Sequence, residues 1–174
     1  MVDGEGAPES STPFHQAIEA LYGTAYTLKF MFKDQPKPGG WFDYVVPPLE
    51  GLWWMKGDKP FDTKRPEDWR WTLMIMLPDF ITPAMVDKAM GQLRDKKNPP
   101  GLSRLRMEAF EEGKAVQIMH IGPYDQEGPA IAKLHTFAAE NSLELRGKHH
   151  EIYLSDPNRT APEKMKTVLR QPVT

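Results

Sequence analysis

Prolines set the limits of the elements that this chain can form. Seventeen of its 174 residues are proline, and they divide it into many short segments. At Thr12-Pro13 and Thr82-Pro83 a threonine directly precedes the proline, a pattern that predicts a helix with Thr as N-cap and Pro in the first turn. The predicted order is helix, strands, helix, strands, helix, strands. This order indicates an α+β fold with a mostly antiparallel sheet and helices on one face.

The limits of the domain and of its modules are predicted from the same proline pattern. We expect residues 1–11 to be a disordered tail, and residues 12–174 to form one domain with modules at about 12–100 and 101–174. A third helix is predicted around Ile131 to Ala138. Strands are predicted at WRWTLMIMLP, HHEIYLSD and KTVLRQPV, and as a hairpin made by RLRMEAF and KAVQIMHIG.

The composition narrows the classes of function. Hydrophobic residues make up 40% of the chain and charged residues 26%, and the net charge is −2. This balance is typical of a soluble globular protein, and the chain lacks the excess of basic residues that is typical of nucleic-acid-binding proteins. The chain has no cysteine, no phosphate-binding glycine motif and no apolar run long enough to cross a membrane. We therefore expect a cytoplasmic protein that holds no metal or cofactor and that binds neither membranes nor nucleic acid.

The strand HHEIYLSD carries the candidate chemistry. Side chains alternate between the faces of a strand, so Glu151 and Tyr153 share one face and Ile152 and Leu154 the other. If Ile152 and Leu154 pack under the helices, Glu151 and Tyr153 project from the opposite face. That face is either exposed to water or lines a ligand cavity. The adjacent histidines point to opposite faces, which argues against a shared metal ion.

An internal similarity suggests a duplication. MIMLPDFITPA and EIYLSDPNRTAP share the pattern L-x-D-x-x-T followed closely by Pro, at an offset of 77 residues. At this offset Met74 aligns with Glu151 and Met76 with Tyr153. If the offset reflects a repeat, the two methionines project into the same space as Glu151 and Tyr153.

Four tryptophans lie within twenty residues of one another. Trp69 and Trp71 share a strand face and are expected in the core. Trp53 and Trp54 are adjacent in an extended segment, so one of them must leave the core. The sequence does not decide which of the two faces a ligand.

Several segments of the sequence resemble the stand-alone branch of the GyrI-like proteins. They include HIGPY joined to HHEIYLSDP, together with DYVVPPLEGLWWM and WRWTLMIMLPDFIT, and the resemblance covers roughly residues 13–173. It implies two β-α-β-β modules about a pseudo-twofold axis with a ligand groove between them. Relatives include drug-sensing domains of transcription regulators, a gyrase inhibitor, and hydrolases that open the cyclopropane ring of DNA-alkylating natural products.

The resemblance also implies site residues. A strand glutamate contacts the ligand in that family, and the matching position here is Glu151, with Tyr153 beside it. Tyr124 and either Trp53 or Trp54 are inferred to line the groove. A glutamate among aromatic rings suits a cationic aromatic ligand, since the rings add stacking and cation–π attraction.

Three functions are consistent with this sequence. The first is binding of bulky, often cationic, aromatic compounds in a groove lined by Trp, Tyr and Met with a central Glu, which protects against toxic compounds. The second is hydrolysis of a cyclopropanoid, with Glu151 as general base and Tyr153 assisting. The third is a protein-interaction role like that of the gyrase inhibitor. The same groove serves the first two functions, so the sequence leaves them open.

Overall fold

The computed structural model describes residues 1–8, 11–33, 36–57 and 64–174. Within them the fold is α+β, as predicted, with antiparallel strand pairing. In chain order the elements are β1 (Val2–Glu5), α1 (Thr12–Met31), β2 (Leu49–Met55), β3 (Trp69–Ile75), α2 (Pro83–Lys96), β4 (Ala115–Ile121), α3 (Gly128–Glu140), β5 (His149–Tyr153) and β6 (Lys166–Pro172). No helix among these residues combines the length and apolar character needed to cross a membrane.

The chain divides into two compact units. The first comprises Met1–Pro48 and Asp62–Glu108, and the second comprises Leu49–Phe61 and Ala109–Thr174. One limit between the units thus lies after Glu108, and β2 belongs to the second unit. The order β-α-β-β occurs twice along the chain, in β1-α1-β2-β3 and in β4-α3-β5-β6, as the resemblance implied.

The 77-residue offset does not reflect this repeat. Thr82 caps α2, but the segment after Thr160 forms a short 3₁₀ helix, Pro162–Lys164, and then β6. The offset therefore aligns a helix with a strand. In the order of elements β3 corresponds to β6, not to β5, so the match between the two short motifs is a coincidence.

The first unit begins with a strand, so the prediction of a disordered tail is wrong. β1 pairs with β3, placing Val2 opposite Leu73, and both side chains are fully buried. Four residues are too few for a periodic signal, and the strand is stabilised by pairing with residues about seventy positions away. α1 starts one residue before the predicted first turn because Ser11, not Thr12, accepts the capping hydrogen bond, from the Phe14 N–H.

The close approach of β1 to a buried ring gives a testable prediction. A Cβ added at Gly4 would lie 2.1 Å from Trp71 Cη2, whereas one added at Gly91 in α2 would meet no atom within 4 Å. We expect Gly4→Ala to destabilise the protein by about 1–3 kcal/mol through overpacking. Gly91→Ala should stabilise it by about 0.5–1 kcal/mol because alanine favours the helix. Urea unfolding of both variants measures the difference. Equal stability of Gly4→Ala and the parent protein would contradict this packing.

In the second unit the four strands are ordered β2-β5-β6-β4. α3 packs on one face of this sheet, where Leu134 and Ala138 contact Val116 and Val173. The predicted hairpin is wrong. Residues 105–114 form no strand, and β4 instead pairs with β6, more than forty residues further along the chain.

Candidate functional site

Glu151 and Tyr153 lie on the sheet face that carries α3. Glu151 is directly opposite Leu169, and Tyr153 is opposite Thr167. In an antiparallel pair, opposite residues share a face, and Val173 of the same strand face packs against α3. The prediction that Glu151 and Tyr153 project from the face away from the helices is therefore wrong. The prediction assumed that Ile152 packs under a helix, but Ile152 shares the other face with the buried His150.

A chain of hydrogen bonds fixes the glutamate. Trp53 Nε1 donates to the Tyr153 hydroxyl at 3.0 Å, and that hydroxyl donates to Glu151 Oε2 at 2.7 Å. Burial and the neighbouring carboxylate raise the pKa of Tyr153 well above its ordinary value, so Tyr153 keeps its proton. The other oxygen, Glu151 Oε1, is 3.5 Å from His149 Nε2. Tyr153 thus holds one carboxylate oxygen in place, and the other lies at ion-pair distance from His149.

Gly51 leaves the space that this arrangement needs. It is the β2 residue directly opposite Glu151. A Cβ at this position would lie 2.8 Å from Trp53 Nε1 and 3.0 Å from the Tyr153 hydroxyl oxygen. A side chain here would displace the donors of both hydrogen bonds.

The predicted aromatic residues separate into two groups. Tyr124 packs edge-on against the Tyr153 ring, with centroids 5.7 Å apart, and is 40% exposed. It therefore joins Trp53 beside Glu151. Trp54 points to the opposite face, where Lys148 Nζ lies 3.4 Å from the centroid of its ring. Of the two adjacent tryptophans, Trp53 is the one that contacts Tyr153.

The two predicted methionines lie in the first unit. Met74 is buried, whereas Met76 is 64% exposed and lines an open cavity of about 630 Å³ together with Phe42, Tyr44 and Phe80. A position of these methionines across a groove from Glu151 stays a prediction.

Glu127 is a second carboxyl group of the site that sequence reasoning missed. It occupies the N-cap position of α3 and is 5% exposed, but its side chain accepts no capping hydrogen bond. Burial raises its pKa to about 8, and repulsion from Glu151 adds to the shift. The Thr167 hydroxyl opposes this only in part, since neither it nor Glu127 Oε1 has a hydrogen-bond partner of normal geometry. The one sequence signal was an acidic residue three positions after Tyr124.

A buried ion network occupies the other face of the sheet. His150 is 1% exposed, with Nε2 2.8 Å from Glu50 Oε2 and Nδ1 3.0 Å from Glu112 Oε1. Carboxylates only accept hydrogen bonds, so both ring nitrogens donate and the imidazole is a cation. Arg170 Nη1 contacts Glu112 Oε2 at 3.2 Å. This network explains the second histidine of the strand. The described residues form no group of His, Asp and Glu suited to hold a metal ion.

The comparisons with known proteins agree with this architecture. A structure of an uncharacterized conserved protein from Listeria innocua is 42% identical, with a TM-score of 0.91, and the match covers 99% of this chain and 85% of that one. Two crystal structures of hydrolases from Listeria innocua, 39% and 41% identical, match over the same shares with TM-scores of 0.86 and 0.88. No curated protein matches the chain. The model of the GyrI-like small molecule binding domain matches residues 2–174, and this chain belongs to that family.

Proposed function

We propose that this protein is a hydrolase that adds water to a strained cyclopropane ring in an aromatic alkylating compound and so protects against its toxicity. The observation that carries the proposal is the Trp53–Tyr153–Glu151 chain of hydrogen bonds. It orients a partly buried carboxylate through one oxygen, and the other oxygen, which lies 3.5 Å from His149 Nε2, is proposed to accept the proton of water as a general base. The similarity to two proteins called hydrolases supports the assignment.

The reaction follows from these positions. Glu151 Oε1 takes a proton from water as the water oxygen bonds to the ring methylene carbon. The ring C–C bond breaks, and its electron pair moves to the conjugated carbonyl oxygen of the substrate. Tyr153 keeps Glu151 oriented throughout, and the rings of Trp53 and Tyr124 offer flat surfaces for an aromatic substrate. Strain in the three-membered ring lowers the barrier that these groups must overcome.

Sequestration of cationic aromatic compounds without turnover is the second candidate. One observation favours it: among the described residues no lysine or arginine pairs with Glu151, whose one ion-pair contact is with His149. A partly buried carboxyl group without a permanent cation beside it is suited to a cationic ligand. Aromatic rings beside it add about 0.5–2 kcal/mol of cation–π attraction each.

Turnover by the wild type, compared with that of Tyr153→Phe, separates the two candidates. The change removes the hydroxyl that orients Glu151 but keeps the ring against Tyr124. For a hydrolase we expect turnover to fall about 10–100-fold, the value of one hydrogen bond to a charged group, with little change in affinity. For a protein that only binds, no turnover exists to lose. Product formation followed by mass spectrometry and affinity followed by tryptophan fluorescence quenching measure the two effects. Unchanged turnover in the variant would show that Tyr153 has no part in the reaction.

A further inference from the structure

The side chain of Glu127 makes no capping hydrogen bond that would explain its position at the start of α3. An N-cap side chain ordinarily accepts a hydrogen bond from the second or third residue of its helix. Here the second residue is Pro129, which has no N–H, and Glu127 caps nothing. Its side chain is instead buried with Oε1 unpartnered. Burial of such a group costs stability, so its position calls for a function.

The neighbours of Glu127 place it at the proposed reaction centre. The 3₁₀ helix Tyr124–Gln126 immediately precedes it, and the Glu127 N–H donates to the Tyr124 carbonyl oxygen at 3.2 Å. The Tyr124 ring in turn packs on Tyr153. Thr167, whose hydroxyl is close to the Glu127 carboxyl, is directly opposite Tyr153 in the sheet. Glu127 and Glu151 are thus close enough to repel each other.

We propose that the Glu127 carboxyl is the proton donor of the reaction and protonates the substrate oxygen that becomes negative when the ring opens. This inference rests on the proposed hydrolysis. Glu151 receives one proton from water, and Glu127 gives one proton to the substrate oxygen. The product has gained one water molecule, as a hydroxyl on carbon and a hydrogen on oxygen. Transfer of the proton from Glu151 to Glu127 through solvent restores the starting state.

The shifted titration of Glu127 fits this role. An acid catalyst works best when its pKa lies near the working pH, and burial with repulsion from Glu151 puts that of Glu127 at about 8. A buried carboxyl group whose pKa is raised beside a second carboxyl group is typical of the acid in an acid and base pair. Turnover should therefore fall as the pH rises through about 8, because Glu127 then loses the proton that it must donate.

The test compares Glu127→Gln with Glu140→Gln, the same change at an exposed position at the end of α3. We expect Glu127→Gln to lower turnover by about 10²–10⁴-fold and to remove the fall in rate near pH 8. Glu140→Gln should leave both unchanged. A Glu127→Gln variant that keeps the wild-type rate and the wild-type fall near pH 8 would overturn the acid role alone. Absence of turnover in the wild type would overturn the proposed hydrolysis, and the acid role with it.

A second readout needs no substrate. In protein labelled with ¹³C at glutamate carboxyls, NMR should detect one carboxyl that titrates near pH 8 and that disappears in Glu127→Gln. Since the pKa of Glu127 is higher in the folded than in the unfolded chain, its protonation stabilises the fold, and this contribution is lost as the pH rises from about 4.5 through 8. Glu127→Gln should therefore gain melting temperature relative to wild type across this range. A Glu127 signal that titrates at its ordinary value would overturn the proposal.

Discussion

Glu151→Gln is expected to lower cyclopropanoid hydrolysis by about 10²–10⁴-fold, the usual contribution of a general base. Glutamine keeps the size of the side chain and still accepts the Tyr153 hydrogen bond, but it cannot take a proton from water. Binding of a neutral aromatic compound should persist, and binding of a cationic one should weaken. Mass spectrometry of product and fluorescence quenching on the same preparation measure the two properties.

The control for this variant is Glu163→Gln, which changes an exposed glutamate of the second unit in the same way. It should match the parent protein in both assays. If Glu151→Gln also matches the parent protein in both, Glu151 is not the functional centre and the residue implied by the family resemblance is wrong.

His150→Ala should produce the largest loss of stability. The change leaves the carboxylates of Glu50 and Glu112 without the cation between them, and breaking a buried ion pair on one side costs about 3–5 kcal/mol. Glu112 still pairs with Arg170 in this variant, whereas Glu50 loses its ion-pair partner, so most of the energetic cost arises at Glu50. Urea unfolding measures the effect. His15→Ala, at an exposed histidine, is the control and should change stability by less than about 0.5 kcal/mol.

The contribution of His150 depends on pH in a defined direction. Burial alone would lower the pKa of His150, but its hydrogen bonds to Glu112 and Glu50 outweigh this and raise it. Its contribution is thus complete below about pH 6.5 and is lost as the pH rises through the raised value. Burial opposes ionisation of Glu112, yet His150 and Arg170 lower its pKa. The contribution of Glu112 is therefore complete above about pH 4.5 and is lost as the pH falls through the lowered value.

The stability difference between wild type and His150→Ala should shrink from pH 6 to pH 9. A difference that stays constant over this range would contradict a charged His150.

Local patterns in the sequence were sufficient for much of the fold. Thr82 and Pro83 gave the start of α2 correctly because a cap is decided by adjacent residues. The pairing of Glu151 with Tyr153 followed from strand alternation. β1 was missed because its four residues are held by burial of Val2 and by pairing with β3, neither of which leaves a local signal.

The rest of the site depends on contacts between distant positions. His150 bonds to Glu50, 100 residues away, and to Glu112, 38 residues away. Alternation alone showed that the two histidines diverge but not which face α3 covers, and the face of Glu151 was therefore assigned wrongly. Glu127 escaped notice because acidic residues at a helix start are ordinarily exposed caps. Only tertiary packing shows that this one is buried.

Multiple-turnover incubation with a spirocyclopropyl aromatic compound in H₂¹⁸O tests the central claim most directly. We predict a product heavier than the compound by one labelled water, formed in molar excess over the protein and faster than in a protein-free control. The Glu151→Gln variant should form it about 10²–10⁴-fold more slowly than the wild type. Unchanged compound, or compound retained only in a one-to-one complex with the protein, would contradict hydrolysis and leave sequestration as the function.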